Sequence, residues 1–462
     1  MDYIDLLIVS TFFLIVFIIG IWDRKKVTID DYWVNNRKTG TFVLLATTLS
    51  SFIGAGAIIG GTEVTYSGAG LAASILFLSY FLYFFIFAKY FAPKIKEFGD
   101  KHNAYTIPDY FEHRYSQKVR LVGAIVNLIS WSLYIAIQIL AMGAFISVLA
   151  NINPIIGTII GSLIVILYTS IGGLRADIRT DIFQFFVMLF LVLIFMPIVI
   201  YKGGGFPAIQ ALPLSFLSGE KFMPWPDLLF GFIFIGSGVI TSADIWQRTY
   251  AAKDKKTVSK AMTLSGLLVF AFIAMTVIFG IYSYILIPGT PSNMVIPILL
   301  KTLLPAGLAG LVIAGFFAAI MSTADTVLLI SSMTLVHDIY IKTLGKTLSP
   351  EKTLKLSRLT TLILGLIALI IAIVINDIAH LTLNAVSFYT CLMPSIVFGF
   401  YWKKANSTSA LWSIVFGFLA TFAVSLYTPT MAFIAGIVIS MIVFVLISLL
   451  VHSNSKSLDL QK

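Results

Sequence analysis

One cysteine, Cys391, in 462 residues excludes an intrachain disulfide and any cysteine-based metal cluster, and leaves that side chain a small, buried, apolar role. Charge is scarce as well: 11% of residues are charged, against roughly a quarter in soluble domains. The motifs HExxH, CxxC and GxxxxGK(S/T) are missing, and spacing singles out no Ser-His-Asp arrangement. The chain is therefore not read as an enzyme, and no cofactor or nucleic-acid partner is implied. The five histidines are scattered. His102, His113 and His337 fall in or beside basic stretches and His452 near the C-terminal end, where solvation or lipid contact is expected; His380 is expected at an interface. No Lys or Arg falls at mid-depth in any apolar run.

Apolar residues dominate instead, at 59% of the chain. Runs of 18 or more, long enough to cross about 30 Å of hydrocarbon, recur from end to end. The pattern predicts an all-α integral membrane protein of about thirteen spans, at 5–22, 41–63, 68–92, 119–149, 154–173, 180–201, 227–249, 261–286, 306–337, 357–375, 380–402, 409–427 and 430–451. No interval between them accommodates a separate soluble domain. Asp2 and Asp5 precede the first run, and Arg24, Lys25 and Lys26 follow it. That charge order argues for a retained span with its N-terminus outside, and against a cleaved signal peptide. Of the 31 Lys and Arg, only Lys202, Lys221 and Lys301 then fall outside. The basic clusters Arg24 to Lys38, Lys89 to Arg120, Lys253 to Lys260 and Lys342 to Arg358 all follow odd-numbered spans. The expected location is the cell membrane, with the C-terminus in the cytoplasm.

Spans 2 and 7 carry glycine at mid-depth: Gly54, Gly56, Gly60 and Gly61 in the run GAGAIIGG, and Gly231, Gly236 and Gly238 with Ser237, Thr241 and Ser242. Such clusters mark either unwound backbone or close helix packing. The two spans are five apart, an odd number, so spans 2–6 would recur upside down as spans 7–11. The expected organisation is an extra span and loop at 1–40, a first repeat at 41–201, an inverted repeat at 202–402, and two further spans with a short tail at 403–462.

In span 9 the segment AAIMSTADT places Ala319, Ser322, Thr323 and Thr326 within about 100° on one helical face. A sodium ion takes several oxygen ligands, and a carbonyl with two neighbouring hydroxyls supplies three without a fixed charge. Serine and threonine also bond back onto helix carbonyls, so the stripe alone leaves both readings open. Wider motifs point further: LATTLSSFIGAGAIIGG in span 2, YTSIGGLRADIRTDIFQ across spans 5 and 6, QRTYAAKD after span 7, and GFFAAIMSTADTVLLISS in span 9. Over nearly its whole length the chain resembles the sodium/solute symporter family, which includes bacterial proline, pantothenate, sialic acid and galactose symporters and animal glucose and choline transporters.

The resemblance implies a LeuT-like fold of five plus five inverted spans with one helix before and two after, and Na+ as coupling ion. It implies a sodium site of carbonyls from Ser50, Ile53 and Ala319 with the hydroxyls of Ser322 and Thr323. Asp181 matches a family aspartate linked to sodium binding or release; alternatively it is an interfacial carboxylate paired with Arg179 or Arg175. Asp325, deep in span 9, could serve a further cation site or be a hydrogen-bonded structural group. The family's solute pocket nominates Phe52, Gly54, Gly56, Gln138, Gly236 and Gly238, although Gln138 could as readily bond another helix. GSGVITSAD in span 7 lacks the aromatics and amides that touch solute in sugar- and proline-carrying relatives. Asp244 and Arg248, at i, i+4 spacing, read as a local ion pair, and Glu63 as a water-accessible group.

The function expected is sodium-coupled symport of a small organic solute across the bilayer, an amino acid such as proline or a monocarboxylate such as pantothenate, with a monomer sufficing. A proton-coupled symporter of the same fold is the alternative. A sodium-conducting channel and a solute sensor are alternatives of other classes.

Overall fold

Helix starts are written into the sequence as side-chain caps. Thr106 and Asp109 form a reciprocal capping box, Asp254 accepts from the Thr257 N–H at 2.7 Å, and Asp377 accepts from the His380 N–H at 2.7 Å. Asparagines in the left-handed region end several helices: Asn103 (φ 51°), Asn151 (φ 55°) and Asn376 (φ 46°). The computed structural model describes residues 2–21, 28–170, 174–220, 222 and 224–451. Arg24, Lys25, Lys26, Gly172, Gly173, Lys221 and His452 lie outside the described residues, as does the side chain of Arg175.

Among the described residues, ten helices are long and apolar enough to cross a membrane, or twelve when each of two bent pairs counts as one span. In chain order the bundle begins with α1 (Tyr3–Ile21), the short α2 (Ile29–Val34), and the bent pair α3 (Thr41–Phe52) and α4 (Gly56–Ala69). Next come α5 (Ala72–His102), α6 (Ile107–Arg114), α7 (Gln117–Ala150), α8 (Pro154–Thr169) and α9 (Asp177–Lys202). A second bent pair, α10 (Trp225–Thr241) and α11 (Ala243–Ala251), leads into α12 (Lys255–Leu286) and α13 (Leu308–Thr343). The last four are α14 (Pro350–Ile375), α15 (Ile378–Tyr401), α16 (Ser407–Ser425) and α17 (Met431–Leu450). Expected span 5 is α8, whose 16 residues reach only about 24 Å.

Helix α13 is the axis of the bundle, with the whole of its most apolar 18 residues buried; α1, by contrast, is buried over only 22% of that window. The bends are 55° between α3 and α4 and 45° between α10 and α11. The first falls at Ile53, beside the expected glycines. The second falls at Ser242 (ψ 116°), several residues past Gly236 and Gly238. Gly236 serves packing instead: its N–H donates to Ser79 Oγ at 3.0 Å, and a Cβ there would sit 2.5 Å from the Ser79 carbonyl oxygen.

The end of the bundle carrying the basic clusters, hereafter the basic face, is closed by a layer of short contacts. Thr39, just ahead of α3, exchanges backbone bonds of 3.0 Å with Ala251 and Lys253 at the end of α11. Arg120, wholly buried at the start of α7, donates to Asp109 at 2.8 Å and to Asp338 at 2.7 Å, and also meets Glu112.

Candidate functional site

The break after α3 leaves backbone groups without helical partners. The Ile53 N–H still reaches the Leu49 carbonyl at 2.9 Å, and the next helix resumes with Ile58 N–H to Gly54 at 3.0 Å. Among the described residues, no donor reaches the Ser50 or Ile53 carbonyl. The freed Ala55 N–H is satisfied from another helix: it donates to Gln138 Oε1 of α7 at 3.0 Å. Gln138 therefore braces the break by a helix-to-helix bond. Buried carbonyls without donors are uncommon in proteins and ask for a partner.

Helix α13 packs directly onto this break. Thr323 Oγ1 donates to the Ser51 carbonyl at 3.0 Å and to the Ala319 carbonyl at 3.1 Å. Gly54 lies against the same side chain, where a Cβ would come within 2.8 Å of Thr323 Cβ and Cγ2. Ser322 Oγ donates to Asp181 Oδ1 of α9 at 2.5 Å, and Ser50 Oγ donates to the Asp181 carbonyl at 3.0 Å. The five residues Ser50, Ile53, Ala319, Ser322 and Thr323 are thus brought to one buried junction of α3, α9 and α13. Such a set of carbonyls and hydroxyls suits a small hard cation.

One helical turn toward the basic face lies a charged cluster. It is built from pairs one turn apart on four helices: Thr47 and Ser51 on α3, Asp177 and Asp181 on α9, Ser322 and Thr326 on α13, and Asp244 with Arg248 on α11. The last pair does not close as an i, i+4 ion pair. Asp244 accepts from Ser242 instead, while Arg248 reaches Asp181 at 3.1 Å, Asp177 at 3.4 Å, Thr326 Oγ1 at 2.8 Å, Thr47 Oγ1 at 3.1 Å and the Ser51 hydroxyl. Asp181 is neither interfacial nor solvated; it is wholly buried and its cationic partner is Arg248. Arg248, read from the sequence as half of a local ion pair near the end of span 7, is instead wholly buried in this cluster. The bend at Ser242 turns α11 inward and carries the guanidinium with it. Asp177 and Asp181 thus share the single guanidinium of Arg248 beside the junction.

Asp325 turns to α8, where its Oδ1 accepts from Thr169 Oγ1 at 2.5 Å. Glu63 is buried, not water-accessible, and accepts from Ser292 Oγ at 2.7 Å and the Ala379 N–H at 3.2 Å. His337 is also buried, packed edge-on to Trp33 and Tyr105 and 3.2 Å from Asp109, where solvation had been expected. Cys391 is buried and donates to the Phe388 carbonyl at 3.0 Å.

A cavity of about 630 Å³, its open mouth included, abuts the break. Of the expected solute residues, Phe52 and Gly56 line it; Gly54, Gln138, Gly236 and Gly238 do not. Sequence reasoning missed the rest of its polar lining. The side chains of Tyr80, Tyr134, Tyr389, Thr276 and Thr382 face it, with Phe77 and Phe272 among the apolar walls, and no Asp, Glu, Lys or Arg. Tyr134 lies one turn before Gln138, which is the only sequence signal it offered. Tyr389 is stacked on Trp131 at 5.4 Å and 11°, so its ring is held in place. A second cavity of about 410 Å³ shares Gly56, Phe77, Tyr80, Thr382 and Val386 with the first. It follows α4 to Ala379, away from the basic face.

Comparison with known proteins agrees with this architecture. A profile of the sodium:solute symporter family matches residues 32–417. The sodium/pantothenate symporter of Haemophilus influenzae is 31% identical over 405 residues, covering 84% of this chain and 82% of that protein. The sodium/proline symporter of Staphylococcus aureus is 26% identical over 434 residues, covering 89% and 84%. Among solved structures, the substrate-bound outward-open state of a Na+-coupled sialic acid symporter superposes with a TM-score of 0.81 at 19% identity, covering 97% of this chain and 98% of that one. The nucleobase-cation-symport-1 family transporter Mhp1, closed with bromovinylhydantoin bound, gives 0.58 at 16% identity, covering 89% and 92%. At these identities the two structures share the fold.

Proposed function

The chain belongs to the sodium:solute symporter family, and from that premise we propose that it imports a small organic solute together with sodium by alternating access. Membership makes it a membrane transporter and not an enzyme. The observation that carries the ion site is the pair of undonated carbonyls, Ser50 and Ile53, at the break onto which Thr323 packs through its bonds to the Ser51 and Ala319 carbonyls. Sodium bound there completes the coordination that the break leaves open. The carboxyl oxygens of Asp177 and Asp181 lie beside that junction, with Arg248 as their shared partner. Asp181, through its bond to Ser322, holds one ligand and marks the way by which the ion leaves; Asp325 of α13 is turned away from that junction, toward Thr169 of α8.

The solute occupies the aromatic cavity next to the ion, with Phe52 and Gly56 at the break and Tyr80, Tyr134 and Tyr389 offering hydroxyls. A wall without ionisable acids or bases suits a solute with at most one net charge, such as a monocarboxylate or a zwitterionic amino acid. Pantothenate and proline, carried by the relatives, belong to those two classes.

Counting α8 and both bent pairs gives thirteen spans, with 1–40, 41–201, 202–402 and 403–462 as leading segment, first repeat, inverted repeat and trailing pair. The basic face is cytoplasmic, placing the N-terminus outside and the C-terminus inside the cell membrane. Contacts close that face while the passage along α4 leads from the cavity the other way. Each inward sodium charge gains about 2.3 kcal/mol per 100 mV, equivalent to roughly 50-fold solute accumulation.

Uptake of a solute panel into proteoliposomes under an imposed sodium gradient tests the reading. Accumulation that follows the sodium gradient is expected. Uptake indifferent to sodium but abolished with the pH gradient would instead establish proton coupling.

A further inference from the structure

We propose that His337 is a positioning residue of the transport cycle, a latch that holds the basic face shut and holds it harder when its ring carries a proton. The inference rests on the alternating-access reading above, in which that face must open once per turnover.

His337 lies near the inner end of α13, buried between segments that belong to other parts of the bundle. Its ring meets Trp33 of α2 edge-on at 5.0 Å and 65°, and Tyr105 at 5.3 Å and 86°. Nε2 stands 3.2 Å from Asp109 Oδ1 and 3.3 Å from Oδ2. Trp33 is tied to the far side of the layer, because Gln247 of α11 donates to its carbonyl at 3.0 Å. Tyr105 and Asp109 belong to the connection between α5 and α7. One imidazole thus joins the central helix to both segments that would have to leave it for the face to open.

The surrounding charges fix the sign of the effect. Among the described residues, Asp109 and Glu112 of α6 and Asp338 of α13 face the one guanidinium of Arg120 of α7, so acidic groups outnumber basic ones around the ring. Farther out, Asp30 of α2 accepts from Tyr105 Oη at 2.5 Å, and Arg37 lies over the Tyr105 ring at 5.7 Å, so these two offset one another. Asp31 of α2 is held by Thr28, and the Tyr250 hydroxyl of α11 donates to the Thr106 carbonyl at 3.4 Å. A proton on His337 therefore adds attraction across the joint. Ligand atoms of Asp109, His337 and Asp338 lie within 4.8 Å of one another, but a metal ion is not needed to explain them. Arg120 Nη2, 2.8 and 2.7 Å from the two aspartates, already fills the place between them.

Two readouts test the latch. In purified protein, amide exchange across residues 103–109, corrected for its intrinsic pH dependence, should slow about tenfold between about pH 8 and pH 6. In proteoliposomes of fixed orientation, sodium-driven uptake should slow by about the same factor when only the basic face is acidified over that range. His337→Gln keeps a hydrogen-bonding side chain but no charge, and should flatten both profiles while leaving the sodium half-saturation unchanged. Should that variant not fold, Asp109→Asn serves the same purpose, since an amide cannot attract the proton's charge. Wild-type exchange flat in pH, or equal slowing in wild type and variant, overturns the latch. PH-dependent exchange without sodium-driven uptake of any solute would overturn the transport reading instead.

Discussion

Gly54 and Thr323 touch: a Cβ on the glycine would lie 2.8 Å from both Cβ and Cγ2 of the threonine. The contact sets how closely the break in the second span approaches α13. Gly54→Ala must push Thr323 off the Ser51 and Ala319 carbonyls, at a cost of about 1–3 kcal/mol for overpacking. The sodium half-saturation of uptake should rise about tenfold, with a smaller change in the solute KM. A sodium titration of uptake with the wild-type midpoint would show that the two helices can part without consequence.

Ser322→Ala and Thr323→Ala each remove one hydroxyl from the junction. Each should weaken sodium dependence by about tenfold, the scale of one hydrogen-bond or ligand contact, while the thermal midpoint stays near that of the parent. Unchanged sodium curves in both variants would rule out the assigned ligands.

Arg248→Gln leaves Asp177 and Asp181 buried without their cationic partner. Removing one member of a buried ion cluster costs about 3–5 kcal/mol, so a lowered Tm and loss of uptake are expected. Combining it with Asp177→Asn should recover part of the stability, because one uncompensated charge is then gone. No recovery in the double variant would mean that Arg248 matters through packing and not through charge.

Tyr134→Phe and Tyr389→Phe remove cavity hydroxyls without changing its shape. Each should raise the solute KM about fivefold, corresponding to roughly 1 kcal/mol, and leave sodium half-saturation alone. Competition by a panel of unlabelled solutes would check this, and identical inhibition profiles in parent and variants would move the solute elsewhere.

Asp109 gives the basic-face layer an acid-sensitive component. Burial alone would push its carboxyl up, but the neighbouring His337 and Arg120 and the Tyr105 N–H outweigh this and hold it well below the usual carboxylate range. A carboxyl depressed on folding contributes stability that is fully present above its unfolded value near 4 and is lost as pH falls through the folded one. Thermal stability of the purified protein should therefore drop as pH is lowered below about 4, and the Asp109→Asn variant should show a shallower drop.

Much of this was legible in the sequence where chemistry follows helical spacing. Ser322, Thr323 and Thr326 share a face because of that spacing, and the break at Ile53 sits beside Gly54. The rest depends on which helix meets which. Arg248 reads as an end-of-span charge until the bend at Ser242 aims α11 into the bundle, and hydropathy carries no information on such a bend. His337 lies at the expected end of its span, but α13 continues to Thr343 and buries it. Gln138 reads in the sequence as a polar side chain open equally to solute or to another helix; its partner, 83 residues away, is a backbone N–H whose availability depends on the break itself. The tyrosines of the cavity were hidden among 38 Phe and 19 Tyr, since aromatic abundance in a membrane protein blurs any one position.

The bond from Ala55 to Gln138 also bears on how fast the cycle can run. Because a side chain of α7 already occupies the amide freed by the break, the discontinuity is a standing feature of the fold and need not be created when ion and solute arrive. Little backbone ordering accompanies each arrival, so binding need not wait on a slow local refolding step, and the slower events are left to the movement of whole helices.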